Sequence, residues 1–132
     1  MQPADATNLF HRPATAVEVP NSSHADSVCG FTAQTASDKN AIDNVTYSLL
    51  TYVYDGTKQY STSAGAKAAK AVNGVGDKAF TVLRDDLLTL AFVKNGETVV
   101  VSYAITGLTK HPKAAAATND LIALGKNAAS RM

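Results

Sequence analysis

Hydrophobic patterning is sharpest between Leu87 and Ala104. Large and small residues alternate there on both sides of Asn95-Gly96. That dipeptide favours the type I′ turn of a two-residue hairpin, because both central positions need φ > 0. Pairing Lys94 with Glu97 across the turn sets Phe92 opposite Val99, Leu90 opposite Val101 and Leu88 opposite Tyr103 on one face. Val93/Thr98, Ala91/Val100, Thr89/Ser102 and Leu87/Ala104 then share the other. A slip of one residue would mix the two sets, so the pattern predicts a register as well as a hairpin. The large face is expected to meet helices, and the small face to stay open or lightly covered.

The same reading extends outward. Asp5–Phe10 predicts a short helix stopped by Pro13, and Thr15–Val19 a short extended piece ended by Pro20. Val28–Ala33 is a strand, and Asn44–Tyr54 a stronger one with Val45, Tyr47, Leu49, Thr51 and Val53 on one face. Asp55-Gly56 is a turn. Thr57–Ala71 predicts a helix, with Tyr60, Ala64, Ala68 and Ala71 at helical spacing. Asn73-Gly74 and Gly76 break it before a strand over Asp77–Leu83, and Arg84-Asp85-Asp86 turns into the hairpin. Gly107 closes the last strand. Pro112 suits the first turn of a final helix running to about Ala129, striped by Ala117, Leu121, Leu124 and Ala128, with Gly125 a weak point. The fold class is therefore α+β: one domain over residues 1–132, with a mostly antiparallel sheet of about five strands, helices packed on one face, and order (α)ββ-α-βββ-α.

Composition narrows the function classes. The chain has 132 residues, enough to bury a core without a metal or disulfide staple. Twelve basic and eleven acidic residues leave a net charge of +1 with no Lys/Arg run, so the electrostatic footprint of nucleic-acid binding is missing. No apolar run approaches the roughly 20 residues of a membrane span. Ala, Thr, Ser and Asn dominate the polar surface, as is common in exported bacterial proteins. The start, Met1-Gln2-Pro3-Ala4-Asp5, lacks the basic and apolar regions of a signal peptide. The expectation is a periplasmic or extracellular chain whose signal peptide has been removed, with a cytoplasmic location left open.

Candidate chemistry is sparse. His11, His24 and His111 are scattered and form no His-x-x-x-His or similar ligand spacing, so they are read as surface residues, with His24 and Asp26 at most a weak metal pair. Cys29 is the single cysteine and shows no adjacent base, so an inert thiol is favoured over a nucleophile or a lost disulfide partner. Asp85 and Asp86 are neighbours in sequence and belong to a turn rather than to one acid/base site. Val72-Asn73-Gly74-Val75-Gly76-Asp77 has the order helix, glycine turn, strand. A dinucleotide fingerprint needs strand, turn, helix, so the segment is read as a structural crossover. Asn44-Val45-Thr46 fits a glycosylation sequon and carries little meaning in a bacterial protein. Tyr52 and Tyr54 share one strand face, either as an exposed partner patch or, the favoured reading, buried under the last helix. No catalytic residue, cofactor or metal is expected.

Cys29-Gly30-Phe31, Val72–Phe80, Leu87–Lys94, Asn95-Gly96 and Thr98–Tyr103 together resemble a group of small exported bacterial domains of unknown function, among them actinobacterial lipoproteins and related periplasmic proteins. The most specific stretch is Gly74-Val75-Gly76-Asp77-Lys78-Ala79-Phe80. The resemblance implies export, an α+β fold and no catalytic residues. It also implies a disulfide from the Cys29 position to an N-terminal helix, for which this chain lacks the second cysteine, and it lacks a lipidation cysteine too.

The leading expectation is a non-catalytic exported domain that binds a protein or a small ligand. One alternative is an inhibitor or immunity-type protein that blocks a partner enzyme. The other is a small enzyme with a pocket between sheet and helices. The expected partner surface is Thr89, Ala91, Thr98, Val100 and Ser102 on the small hairpin face, with Tyr52 and Tyr54 beside it, and a homodimer through that face is compatible with the pattern.

Overall fold

The computed structural model describes residues 3–19, 25–34, 45–60, 69–84, 86–107 and 113–132. Helix α1 spans Pro3–Phe10, and α2 spans Thr118–Ser130 after a 3₁₀ turn at Ala114–Ala117. The strands are β1 (Thr15–Val17), β2 (Ser27–Gln34), β3 (Thr46–Asp55), β4 (Lys70–Val72), β5 (Lys78–Arg84), β6 (Leu87–Lys94) and β7 (Glu97–Thr106). They form one antiparallel sheet in the order β1-β2-β3-β7-β6-β5-β4.

The β6–β7 hairpin has the register that the alternation dictates. Phe92 pairs with Val99, Leu90 with Val101 and Leu88 with Tyr103. Asn95 (φ 52°) and Gly96 (φ 77°) both lie in the left-handed region that a type I′ turn requires. Those six large residues are all buried. Strand β3 adds Tyr47, Leu49 and Thr51 to the same face through its pairing with β7, and β2 adds Phe31 and Ala33. The helices cover this face. Leu9 and Phe10 of α1 and Leu121 and Leu124 of α2 join one core cluster with it. The two helices run antiparallel. Arg131 Nη2 lies 2.8 Å from Asp5 Oδ2 at one end, and His11 Nε2 lies 3.7 Å from Asp120 Oδ2 at the other.

Three expectations need correcting. The sheet has seven strands, because two three-residue edge segments join it. Thr15–Val17 pairs with β2, and Lys70–Val72, expected to end a helix, pairs with β5. The pairing supplies hydrogen bonds to backbone whose side chains are mostly exposed, which hydrophobic periodicity does not register. The glycine segment after β4 consequently links strand to strand. Helical backbone at the start of the predicted 57–71 helix is confined, among the described residues, to Lys58–Tyr60; residues 61–68 lie outside them, as do His24, His111, Pro112, Asn44 and Asp85.

The second correction concerns sides. Tyr60 packs with Phe80, Ala91 and Val93 on the face opposite α1 and α2, so that helical turn does not share their side. Its ring meets Phe80 edge-on at 5.0 Å between centroids, and Lys78 Nζ stands 4.8 Å above it. Burial raises the Tyr60 phenol above its ordinary pKa. Third, the small hairpin face is not open throughout. Ala91 and Thr98 are fully buried there, and Thr98 Oγ1 donates a 2.8 Å hydrogen bond to the Gly56 carbonyl oxygen.

The Gly74–Phe80 motif has a structural explanation. Gly76 has φ 55°, and a Cβ there would collide with the Val93 carbonyl oxygen. That oxygen accepts a 2.7 Å bond from Asp77 N, which locks the turn onto the end of β6. Val75, 1% exposed, plugs the core between the two glycines. Gly125 of α2 faces the same place, where a Cβ would strike the Leu90 side chain and stand 3.2 Å from Val75 Cγ1. Its small size therefore lets the helix approach the sheet.

Two outcomes follow for urea unfolding. Gly76→Ala is expected to lose at least about 2 kcal/mol, from the left-handed backbone and the clash combined. Gly125→Ala would gain about 1 kcal/mol on helix propensity alone. With Leu90 fully buried and unable to move aside, it is expected instead to lose about 1 kcal/mol by overpacking. A stabilised Gly125→Ala would show that α2 rides higher on the sheet.

Candidate functional site

At the end of the sheet remote from the Asn95-Gly96 turn, β3, β7 and both helices leave a cleft of about 330 Å³. Its floor is aromatic. Tyr47 sits directly opposite Ile105 on neighbouring strands, and Tyr103 lies one inward position away. Phe10, the last residue of α1, packs against both rings at 5.9 and 6.0 Å. Tyr47 and Tyr103 point inward because their strand positions have the same parity as Leu49 and Val101.

The rim is charged. Helix α1 ends in His11 at φ 56°, the left-handed residue that commonly terminates helices, and Pro13 prevents continuation. Ala14 N donates a 3.2 Å bond back to Thr7 Oγ1, which holds the intervening residues against α1. This turn carries Arg12 over the floor, its guanidinium carbon 5.4 Å from the Tyr47 ring centroid, a cation–π arrangement. Lys113, just before the 3₁₀ turn, and Asp120, in the first turn of α2, complete the rim. Asp120 faces His11 with both side chains mostly exposed, so the pair adds little to stability. Two cations, Arg12 and Lys113, face one carboxylate, a balance that favours an anion.

The Tyr103 phenol is pushed up to about 12, first by burial, then by Tyr47 and by the Asp120 carboxylate, each of which disfavours the phenolate. It is a neutral hydrogen-bonding group at any physiological pH. The described residues lining the cleft include no serine, threonine or cysteine. Among all described residues, no group of three His, Cys, Asp or Glu side chains is placed to hold a metal ion.

The expected partner surface lies on the opposite side of the sheet. Thr89, Val100, Ser102, Tyr52 and Tyr54 remain partly accessible, but Ala91, within the Tyr60 cluster, and Thr98, bonded to the Gly56 carbonyl, are fully buried and drop out of it. Tyr52 and Tyr54 are half-buried on that outer face, away from α2 rather than under it. Cys29 is a half-buried free thiol on β2, flanking the core. Among the described residues, no helix is long and apolar enough to cross a membrane.

None of Arg12, Tyr47, Lys113 or Asp120 stood out as a site residue in the sequence, since α1 and α2 lie a hundred residues apart. The available signal was a pair of tyrosines on inward strand positions. A polar-tipped ring on a core face needs an outlet for its hydroxyl, and so marks where the core opens.

The raised Tyr103 pKa carries a pH dependence. The folded state disfavours the phenolate relative to the unfolded chain, so this contribution is fully present below pH 10 and is lost as pH rises toward 12. Unfolding free energies measured between pH 9 and 11 should fall for the wild type and fall less for Tyr103→Phe. Equal slopes would place Tyr103 in an ordinary aqueous setting.

Comparison of the chain with protein-family models, with curated proteins and with solved structures gives no match.

Proposed function

We propose that the chain is a non-catalytic exported domain, acting in the periplasm or at the cell surface, whose cleft between the end of α1 and the start of α2 binds a small molecule with a flat apolar body and an anionic group. The observation that carries this reading is Arg12 held 5.4 Å over the Tyr47 ring inside a concave, aromatic-floored space. Small-ligand sites are commonly concave, mostly apolar and set with a few converging polar groups. Here the apolar body would enter against the aromatic floor, while its anionic end would reach Arg12 and Lys113. Arg12 supplies a planar fork of donors suited to a carboxylate or phosphate, and Lys113 a mobile point charge. Export is supported by composition alone, through the Ala/Thr/Ser/Asn-rich surface and sparing use of charge.

Calorimetric titration with phenylacetate, with neutral phenylacetamide as control, tests the cleft. The anion should bind more tightly, and added salt should weaken it. Arg12→Ala should reduce its affinity by about tenfold, roughly the worth of one charge-assisted hydrogen bond in a partly open site. Equal affinity for acid and amide, or an Arg12→Ala variant that binds as well as the wild type, would refute the assignment.

A further inference from the structure

The rim of the aromatic cleft pairs its charges unevenly. Among the described residues, neither Arg12 nor Lys113 has a carboxylate partner. The one carboxylate lining the cleft, Asp120, stands instead 3.7 Å from His11 Nε2. A second cleft of about 330 Å³, lined by Thr51, Val99 and Ala128 among others at the far end of α2, is arranged the opposite way. Its cation, Arg131, is already engaged by Asp5 at 2.8 Å. In the aromatic cleft both cations are left for a ligand, and the carboxylate that could have neutralised one of them faces a titratable group. The backbone keeps that group at the mouth. His11 takes φ 56° directly after α1, and the bond from Ala14 N to Thr7 Oγ1 holds the residues that follow it against the helix.

We propose that His11 regulates this cleft by pH, so that it holds an aromatic anion more tightly when the imidazole is protonated. The inference rests on the anion-binding reading of the cleft. The charged and titratable groups around His11 are Arg12 on the same turn, Lys113 before the 3₁₀ turn, Asp120 on α2, and Tyr47 and Tyr103 on the sheet. Side chains of those types keep one charge state between pH 5.5 and 8, and histidine is the type that changes. With a neutral imidazole the rim has two cations and one carboxylate, one net positive charge; with an imidazolium it has three cations and one carboxylate, two net positive charges. Protonation thus adds attraction at the mouth and offsets Asp120, the one rim charge that repels an anion. The two side chains are 78% and 56% exposed, so solvent screening keeps the gain to about threefold, the scale of an exposed ion pair.

Calorimetric titration with phenylacetate at pH 5.5 and pH 8.0, at one ionic strength, tests this, because the probe stays ionised at both. The wild type should bind it about threefold more tightly at pH 5.5, and neutral phenylacetamide equally at both. His11→Asn removes the titrating ring with a residue that tolerates left-handed backbone, and it should bind phenylacetate equally at the two pH values. Asp120→Asn should tighten phenylacetate binding at pH 8.0 by about threefold, since the repelling charge is then gone. Equal phenylacetate affinity at both pH values in the wild type would overturn the inference. So would a pH dependence that survives in His11→Asn or that phenylacetamide shares. Each of those results leaves the anion site standing as long as phenylacetate binds better than the amide. Loss of that preference at both pH values would remove the site itself, and this inference with it.

Discussion

The register of the β6–β7 hairpin is the constraint on which the rest of the structure depends. Asn95 and Gly96 both take positive φ, and this fixes Lys94 against Glu97. Every later pair then follows, because side chains alternate strictly along a strand. The consequence is a division of labour between faces. Leu88, Leu90, Phe92, Val99, Val101 and Tyr103 make the surface on which α1 and α2 lie, and Ala91 and Val93 make a smaller one against which Tyr60 packs. Strands β3 and β5 extend each face by pairing outward from this hairpin. Helix α2 can settle only because Gly125 leaves room for Leu90, and Val75 reaches the same spot through the Gly74–Gly76 turn. Removing the hairpin's alternation would therefore remove the seat of the helix and both clefts with it.

What was legible in the residues follows the strength of that alternation. The hairpin register was readable pair by pair, because large and small side chains differ at every step and the turn residues have one preferred geometry. The inward set of β3 was readable for the same reason. Strand β4 was not, and β1 was legible as an extended piece but not as a member of the sheet. Each is three residues long and largely exposed, and it exists because a neighbouring edge offers hydrogen bonds. The cover over Ala91 was equally hidden, since Tyr60 reaches it from a segment separated from the hairpin by β4 and β5. Tyr52 and Tyr54 were placed under the wrong element because strand parity assigns a residue to a face without saying which helix lies there. Parity with Leu50 puts them outside.

The clefts were the least legible feature, for a physical reason. Each forms where a helix end overhangs the sheet, and helix ends bring together residues that are remote in sequence. His11 and Asp120 meet across the fold because α1 and α2 run antiparallel, an arrangement clamped at the far end by the Arg131–Asp5 contact at 2.8 Å. Antiparallel packing sets the negative end of the α1 dipole beside the positive end of the α2 dipole. It also collects at one end His11, Arg12 and Lys113, which side-chain spacing along the chain could not associate.

The two clefts differ in how their polar groups are treated, and that difference separates their chemistry. Around Tyr47 the charged groups stand at the rim in contact with water, so a ligand there gains from charge and loses part of that gain to salt and solvent. Around Thr51 the polar group lies within the core, sealed from water and without a partner, a cost that the surrounding packing has to offset. The first arrangement leaves its charges free to respond to what approaches them, whereas the second is enclosed by its own neighbours. Both rest on strand positions of the same parity along β3, four residues apart. A single strand thus carries one ring beneath a charged rim near its start and one enclosed hydroxyl at its centre.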